Sequence, residues 1–151
     1  MGDFIGTTIS GMTGRGSIRH NNRSFSAANI DRSRTEQNVT YCNDDLKQVY
    51  HEIFDEALAA YNAKKKKTRD KITDYYEHIR QGKQEKLFHE AIFQIGNLED
   101  CGCGSPGGER AAAALKEFAE SFQERNPHLR VFNMVLHMDE ATPHLHVDYI
   151  P

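Results

Sequence analysis

From Leu129 to Met138 the chain alternates. Phe132, Met134, Leu136 and Met138 fall on one side, and Val131, Asn133, Val135 and His137 on the other. A period of two marks a half-buried strand. Leu145, Val147 and Tyr149 repeat the pattern against His144, His146 and Asp148. The connection between them, Met138 to Pro143, is short and ends in proline, which predicts a hairpin. Pairing puts Leu136, Met138, Leu145 and Val147 on a core face, with His137, His144 and His146 together on the other. Upstream, Phe4 to Met12 predicts a first strand and Asn38 to Tyr41 a short second one. Leu87 to Ile95 is apolar on both faces and suits a central strand.

Two stretches have the helical period instead. Leu46, Val49, Ile53, Ala57, Ala60 and Tyr61 recur at threes and fours, and Ile72, Tyr75 and Ile79 continue nearly in phase. This predicts a helix capped by Asn43 or Asp44 and ended by Gly82, either continuous over 44–81 or bent at Lys64–Lys67. The lysines read as a solvated helix face. Gly96 to Gly108 reads as a loop. Glu109 to Glu124 predicts a second helix that buries Ala112, Leu115, Phe118, Ala119 and Phe122 before Asn126-Pro127 stops it. The order β, β, α, β, α, β, β predicts one α+β domain: an antiparallel sheet with helices packed on one face.

Composition changes this picture little. At 151 residues the chain can bury a core, and no apolar run approaches a membrane span. The start has no basic and apolar secretory signal. An odd count of three cysteines argues against a disulfide framework and for a reducing, cytoplasmic compartment. The Cys101-Gly102-Cys103 pair offers too few soft ligands for a structural metal.

Charge matters more by position than by sum. The net charge is −3, against the usual basic balance of nucleic-acid binders. Yet Arg15, Arg19, Arg23, Arg32 and Arg34 lie between Thr13 and Thr35 with Asp31 as the single acid. Interleaved with Gly, Ser and Asn, Arg19, Arg23, Arg32 and Arg34 can follow a phosphate backbone. His137, His144 and His146 converge on one face, which predicts a metal site with positions open to water or substrate.

The string His137-Met-Asp-Glu-Ala-Thr-Pro-His-Leu-His146 resembles the metal motif of the Mob/Pre (MobV) plasmid mobilization relaxases, within the HUH endonuclease superfamily. The resemblance extends to His20-Asn-Asn-Arg23 and to Ser33–Tyr41. It implies a relaxase catalytic domain over 1–151, truncated at its C-terminus, with the metal site on the sheet face opposite the helices. It also implies nicking of one strand at a plasmid transfer origin, presented as single-stranded or hairpin DNA, by transesterification. A covalent 5′-phosphate adduct would result, in conjugative mobilization or plasmid recombination, with other mobilization proteins as partners. Manganese or magnesium is the implied ion, though three imidazoles also accept zinc or nickel.

By the same resemblance Glu140 serves as acid/base and His20 as the nucleophile, with Asp139 orienting a histidine ring. Tyr41 is the alternative nucleophile. Tyr50, Tyr61, Tyr75, Tyr76 and Tyr149 read as packing. A neutral imidazole attacks without first losing a proton, whereas a phenol of pKa ~10 needs activation. Two other classes stay open: a non-cleaving metal-dependent DNA-binding module, and an unrelated three-histidine hydrolase of small molecules. The arginines favour nucleic acid over the second of these.

Overall fold

The computed structural model describes residues 8–24 and 29–151. The start of the first expected strand, from Phe4, lies outside them. The chain divides into two compact units, Met1–Asn43 with Phe88–Pro151, and Asp44–Leu87.

In the first unit, β1 (Ile9–Thr13), β2 (Val39–Asn43), β3 (His89–Ile95), β4 (Arg130–His137) and β5 (His144–Ile150) form an antiparallel sheet in the order β1-β3-β5-β4-β2. The architecture is the expected α+β one. The β4–β5 hairpin is central, and its register sets His137 opposite His144 and Leu136 opposite Leu145. Helices accompany the sheet: α1 (Ile18–Asn21), then, past the second unit, α4 (Leu98–Cys101) and α5 (Pro106–Arg125).

Helix α5 begins where Ser105 accepts from the Gly108 amide, with Pro106 in the first turn, where no donor is lost. It ends at Asn126, whose side chain donates to the Phe122 carbonyl. Its stripe Ala112, Leu115, Ala119 and Phe122 packs with Val131, Met134, Leu136, Met138, Leu145 and Val147 to form the core. The expected loop over 96–108 is shorter than read. Asn97 caps α4 by accepting from the Asp100 amide, and α5 starts at Pro106.

Two one-residue bulges correct the simple alternation. The β4–β5 register shifts between Val131 and Asn133. Val131 therefore enters the core, while Phe132 packs edge-on to Phe88 with ring centroids 5.2 Å apart. The β2–β4 register shifts between Thr40 and Cys42, so Tyr41 is the extra residue there.

In the second unit the expected helix is two. Here α2 (Leu46–Ala63) is capped by Asp45, one residue past the expected caps, and α3 (Tyr75–Gln81) is capped by Asp74. Four consecutive lysines repel one another just past α2. Asn62 then takes hold of the returning chain: its amide donates to the Ile72 carbonyl at 2.7 Å and its oxygen accepts from the Ile72 amide at 2.9 Å. Gly82 ends α3 as expected, at an ordinary φ of −70°. The apolar stripe of α2 is buried only at Leu46, Val49 and Tyr50, while Ile53 and Tyr61 stay 38% and 43% exposed. No helix among the described residues is long and apolar enough to cross a membrane.

Candidate active site

His137 and His146 alternate along β4 and β5 with Leu136, Leu145 and Val147, which pack against α5, so the two histidines fall on the other face of the sheet. The site starts with α1, four residues long, which presents His20 and Asn21 to β4 and β5. Ser17 caps it by accepting from the His20 amide. Its exit is a Schellman turn, with the Ser24 amide on the Arg19 carbonyl and the Arg23 amide on the His20 carbonyl. That turn requires a left-handed residue, usually glycine, and here it is Arg23 at φ 56°. The conformation costs about 1–2 kcal/mol. The guanidinium offsets it: Nε and Nη2 donate to the two Asp139 carboxylate oxygens at 2.8 and 2.6 Å, and Nη1 donates to the His20 carbonyl at 2.8 Å. Asp139 is fully buried and also accepts from the Thr35 hydroxyl at 2.9 Å. Burial alone would raise its pKa, but the Arg23, Thr35 and Asn38 side chains hold it well below the usual carboxylate range.

Asn21, 1% exposed, ties α1 to the sheet. Its carbonyl accepts from His137 Nε2 at 2.7 Å. Its amide donates to Glu90 at 2.5 Å and to Asp148 at 3.1 Å. Glu90 in turn accepts from His146 Nδ1 at 2.8 Å and from the Gly16 amide at 2.5 Å. The approach needs glycine at 14 as well, since a Cβ there would collide with the Glu90 carboxylate. Asp148, paired with Asn133 at 2.9 Å, is pushed up by burial and by the neighbouring Glu90 charge.

These bonds fix the tautomers. His137 donates from Nε2 and His146 from Nδ1, which leaves the lone pair of the opposite nitrogen in each ring. His137 Nδ1 is buried with no hydrogen-bond partner. It lies 3.8 Å from Glu140 Oε2. His137, Glu140 and His146 each offer a ligand atom, all within 4.8 Å of one another. An orphaned imidazole lone pair beside a second imidazole and a carboxylate fits a divalent cation. Burial works to raise the Glu140 pKa, but the adjacent His137 ring and the charges of His144 and Arg23 bring it to about 2, so it is ionised throughout the neutral range.

His20 stands next to this group. Its Nε2 is 3.8 Å from Glu140 Oε1 and its ring centroid is 6.1 Å from His137 and 6.5 Å from His146. Burial, then the Arg23 charge, lowers its pKa, which favours a neutral ring. His144 lies at the margin. Its Nδ1 is 2.7 Å from the Thr142 carbonyl and 3.7 Å from Glu140, outside the tight group.

The other expected site residues lie elsewhere. Tyr41 packs against the core on the α5 side, where burial and Glu120 raise its pKa. Asp139 touches no histidine ring, because Arg23 and Thr35 occupy it. Arg23 faces Asp139 with 10% of its side chain exposed, and Arg34 lies 3.6 Å from Asp31. Arg19 and Arg32 are exposed. The bonding of Asn21 was not anticipated, and the sequence offers Glu90 only ordinary packing or support of a site residue. The one cue for Glu90 is a carboxylate inside an apolar strand.

The Mob_Pre family, described as plasmid recombination enzyme, matches residues 17–151. No curated protein matches the chain. Among solved structures, the MobM relaxase domain (MOBV; Mob_Pre) bound to plasmid pMV158 oriT DNA of 22 nucleotides, Mn-bound at pH 5.5, is 21% identical, with 96% of this chain and 70% of that one covered at a TM-score of 0.48. The same domain bound to 22 nucleotides with a 3′ thiophosphate, Mn-bound at pH 6.8, is 20% identical, with 95% and 70% covered at 0.49. The match of residues 17–151 covers most of the sequence, and the chain belongs to the Mob_Pre family of plasmid recombination enzymes.

Proposed function

We propose that this chain is a metal-dependent DNA relaxase domain. It nicks one strand at a plasmid transfer origin by transesterification and stays attached to the 5′ phosphate through His20, in mobilization or plasmid recombination. The observation that carries the reading is the placement of the His20 ring beside the His137–Glu140–His146 donor group. When bound there, a divalent cation such as manganese or magnesium draws charge from the scissile phosphate. His137, His146 and Glu140 would hold it, with His144 within reach. His20, neutral and steadied through Arg23, attacks phosphorus while the 3′ oxygen leaves. Glu140, ionised at neutral pH, is better suited to hold the cation than to act as general acid, a change from its expected acid/base role. Arg19 and Arg32, being exposed, are the arginines best placed to meet the DNA backbone.

The test is a supercoiled plasmid carrying a family-type transfer origin, incubated with the chain. Manganese-dependent conversion to open circle, abolished by a chelator, supports the relaxase. DNA binding with no open circle at any metal concentration points instead to the non-cleaving DNA module.

Metal affinity has its own expected pattern, measured by titration calorimetry with manganese at neutral pH. His137→Ala, His146→Ala and Glu140→Ala each lose two orders of magnitude or more. Glu90→Gln, which weakens the bond to His146 Nδ1, loses about 10–100-fold. His144→Ala loses least, and a loss equal to that of His137→Ala would bring His144 into the donor set. Burial lowers the His146 pKa from 6.5, with Glu90 opposing. Protons therefore compete for its lone pair only below that value, so affinity holds at neutral pH and falls as the solution is acidified.

A further inference from the structure

The second unit carries chemistry that the nicking site does not use. Between α2 and α3 lies a groove of about 360 Å³, lined by Phe54, Leu58 and Tyr61 of α2, by Ile72, and by Tyr75 and His78 of α3. Its walls are already set. The two-bond clamp of Asn62 on Ile72 fixes the connecting segment. Phe54 and Tyr75 pack at 4.8 Å between centroids, and Tyr75 stacks on His78 at 6.1 Å and 17°. Tyr61 remains 43% exposed although the helical pattern marks it for burial.

The segment that runs from the end of α2 to Ile72 is Lys64-Lys-Lys-Lys-Thr-Arg-Asp-Lys71, six cations and one acid in eight residues. Lys65 Nζ sits 4.7 Å from the centre of the Tyr61 ring. An aromatic cleft edged by cations fits a ligand with flat π faces and regularly spaced negative charge. A second copy of this chain does not fit. A symmetric pairing would set the lysine run against itself.

We propose that this groove is a second, single-stranded nucleic-acid contact, where an unpaired base stacks on the exposed aromatic rings and Lys64–Lys67 hold the flanking phosphates. The proposal rests on the DNA relaxase reading but concerns residues remote in sequence from its chemistry. Stacking on a protein ring is tolerant of base identity, so the groove adds affinity for unpaired DNA without reading sequence. Its substrate is the unpaired part of the DNA that the nicking site handles.

The experiment measures fluorescence anisotropy of a labelled oligothymidylate of about 12 nucleotides with the full chain in the His20→Ala background, which removes cleavage. Tyr61→Leu is expected to weaken binding about tenfold with the salt dependence unchanged. Tyr61→Phe retains it. Replacing Lys64–Lys67 with serine lowers the log–log salt slope by ~0.7 for each phosphate that is no longer neutralised. Lys83→Ser with Lys86→Ser, a control in the same unit, leaves affinity unchanged. Circular dichroism verifies that each variant is folded. Wild-type affinity and slope in both Tyr61→Leu and the lysine variant overturn the groove while leaving the relaxase reading intact. Absence of any DNA binding by the parent chain removes both. Competition by polyglutamate equal to that of unlabelled oligothymidylate, with Tyr61→Leu unaffected, overturns the nucleic-acid assignment in favour of an acidic protein partner.

Discussion

Replacing His20 with alanine is expected to lower strand nicking by on the order of 10³-fold or more while leaving manganese affinity near wild type. The ring is next to the donor group but is not part of it. Its centroid stands more than 6 Å from both His137 and His146, and its Nε2 lies 3.4 Å from Arg23 Nη1 and 3.8 Å from Glu140 Oε1. On the proposed mechanism, loss of His20 therefore removes the nucleophile without removing a ligand. Tyr41→Phe is the matched control, since Tyr41 packs with the core cluster. It should nick at the wild-type rate. Single-turnover cleavage of labelled oligonucleotide separates the two, and substantial nicking by His20→Ala combined with its loss in Tyr41→Phe would reverse the assignment. Equal loss of metal affinity and nicking in His20→Ala would make the residue a ligand instead.

Asp139→Ala carries the largest expected cost in stability. It strands the Arg23 guanidinium, 10% exposed, without its carboxylate and also frees Thr35. Removing one partner of a buried ion pair costs about 3–5 kcal/mol. Arg23 is held in its left-handed conformation partly by this pair, so the turn that carries His20 should loosen as well. Urea unfolding gives the stability, and nicking by the folded fraction gives the positioning effect. The pH dependence has a defined sign. The Asp139 pKa is lowered in the folded state, so the pair's stabilisation is complete above the ordinary carboxylate range and is lost as pH falls below it. A variant as stable as wild type, with unchanged nicking, would show that the Arg23–Asp139 pair neither holds α1 nor places His20.

The hairpin and its two faces were legible because a period of two admits one pairing that buries Leu136, Leu145 and Val147. The bulges at Tyr41 and Phe132 were not. A bulge inserts a residue without changing composition, and alternation read through it assigns the wrong face beyond it. The break after α2 was half legible. The lysines marked it, but the clamp that fixes it joins Asn62 to a backbone ten residues away. In the site, His137, His146 and Glu140 came from one short string. The Asn21 bonds did not, because its partners are 69 to 127 residues distant and backbone carbonyls leave no mark in a sequence. His20 was accessible through family resemblance, not through any local period.

The most direct test of the account is the location of the covalent bond. The chain is allowed to react with a transfer-origin oligonucleotide and manganese, digested with trypsin at neutral pH, and analysed by mass spectrometry. Cleavage after Arg19 and Arg23 isolates His20-Asn-Asn-Arg23. This peptide is expected to carry the 5′-phosphorylated fragment and to lose it on brief acid treatment, as a histidine–phosphate bond does. An acid-stable adduct on the peptide Thr35–Lys47, which holds Tyr41, would contradict this, as would cleaved DNA with no peptide attached.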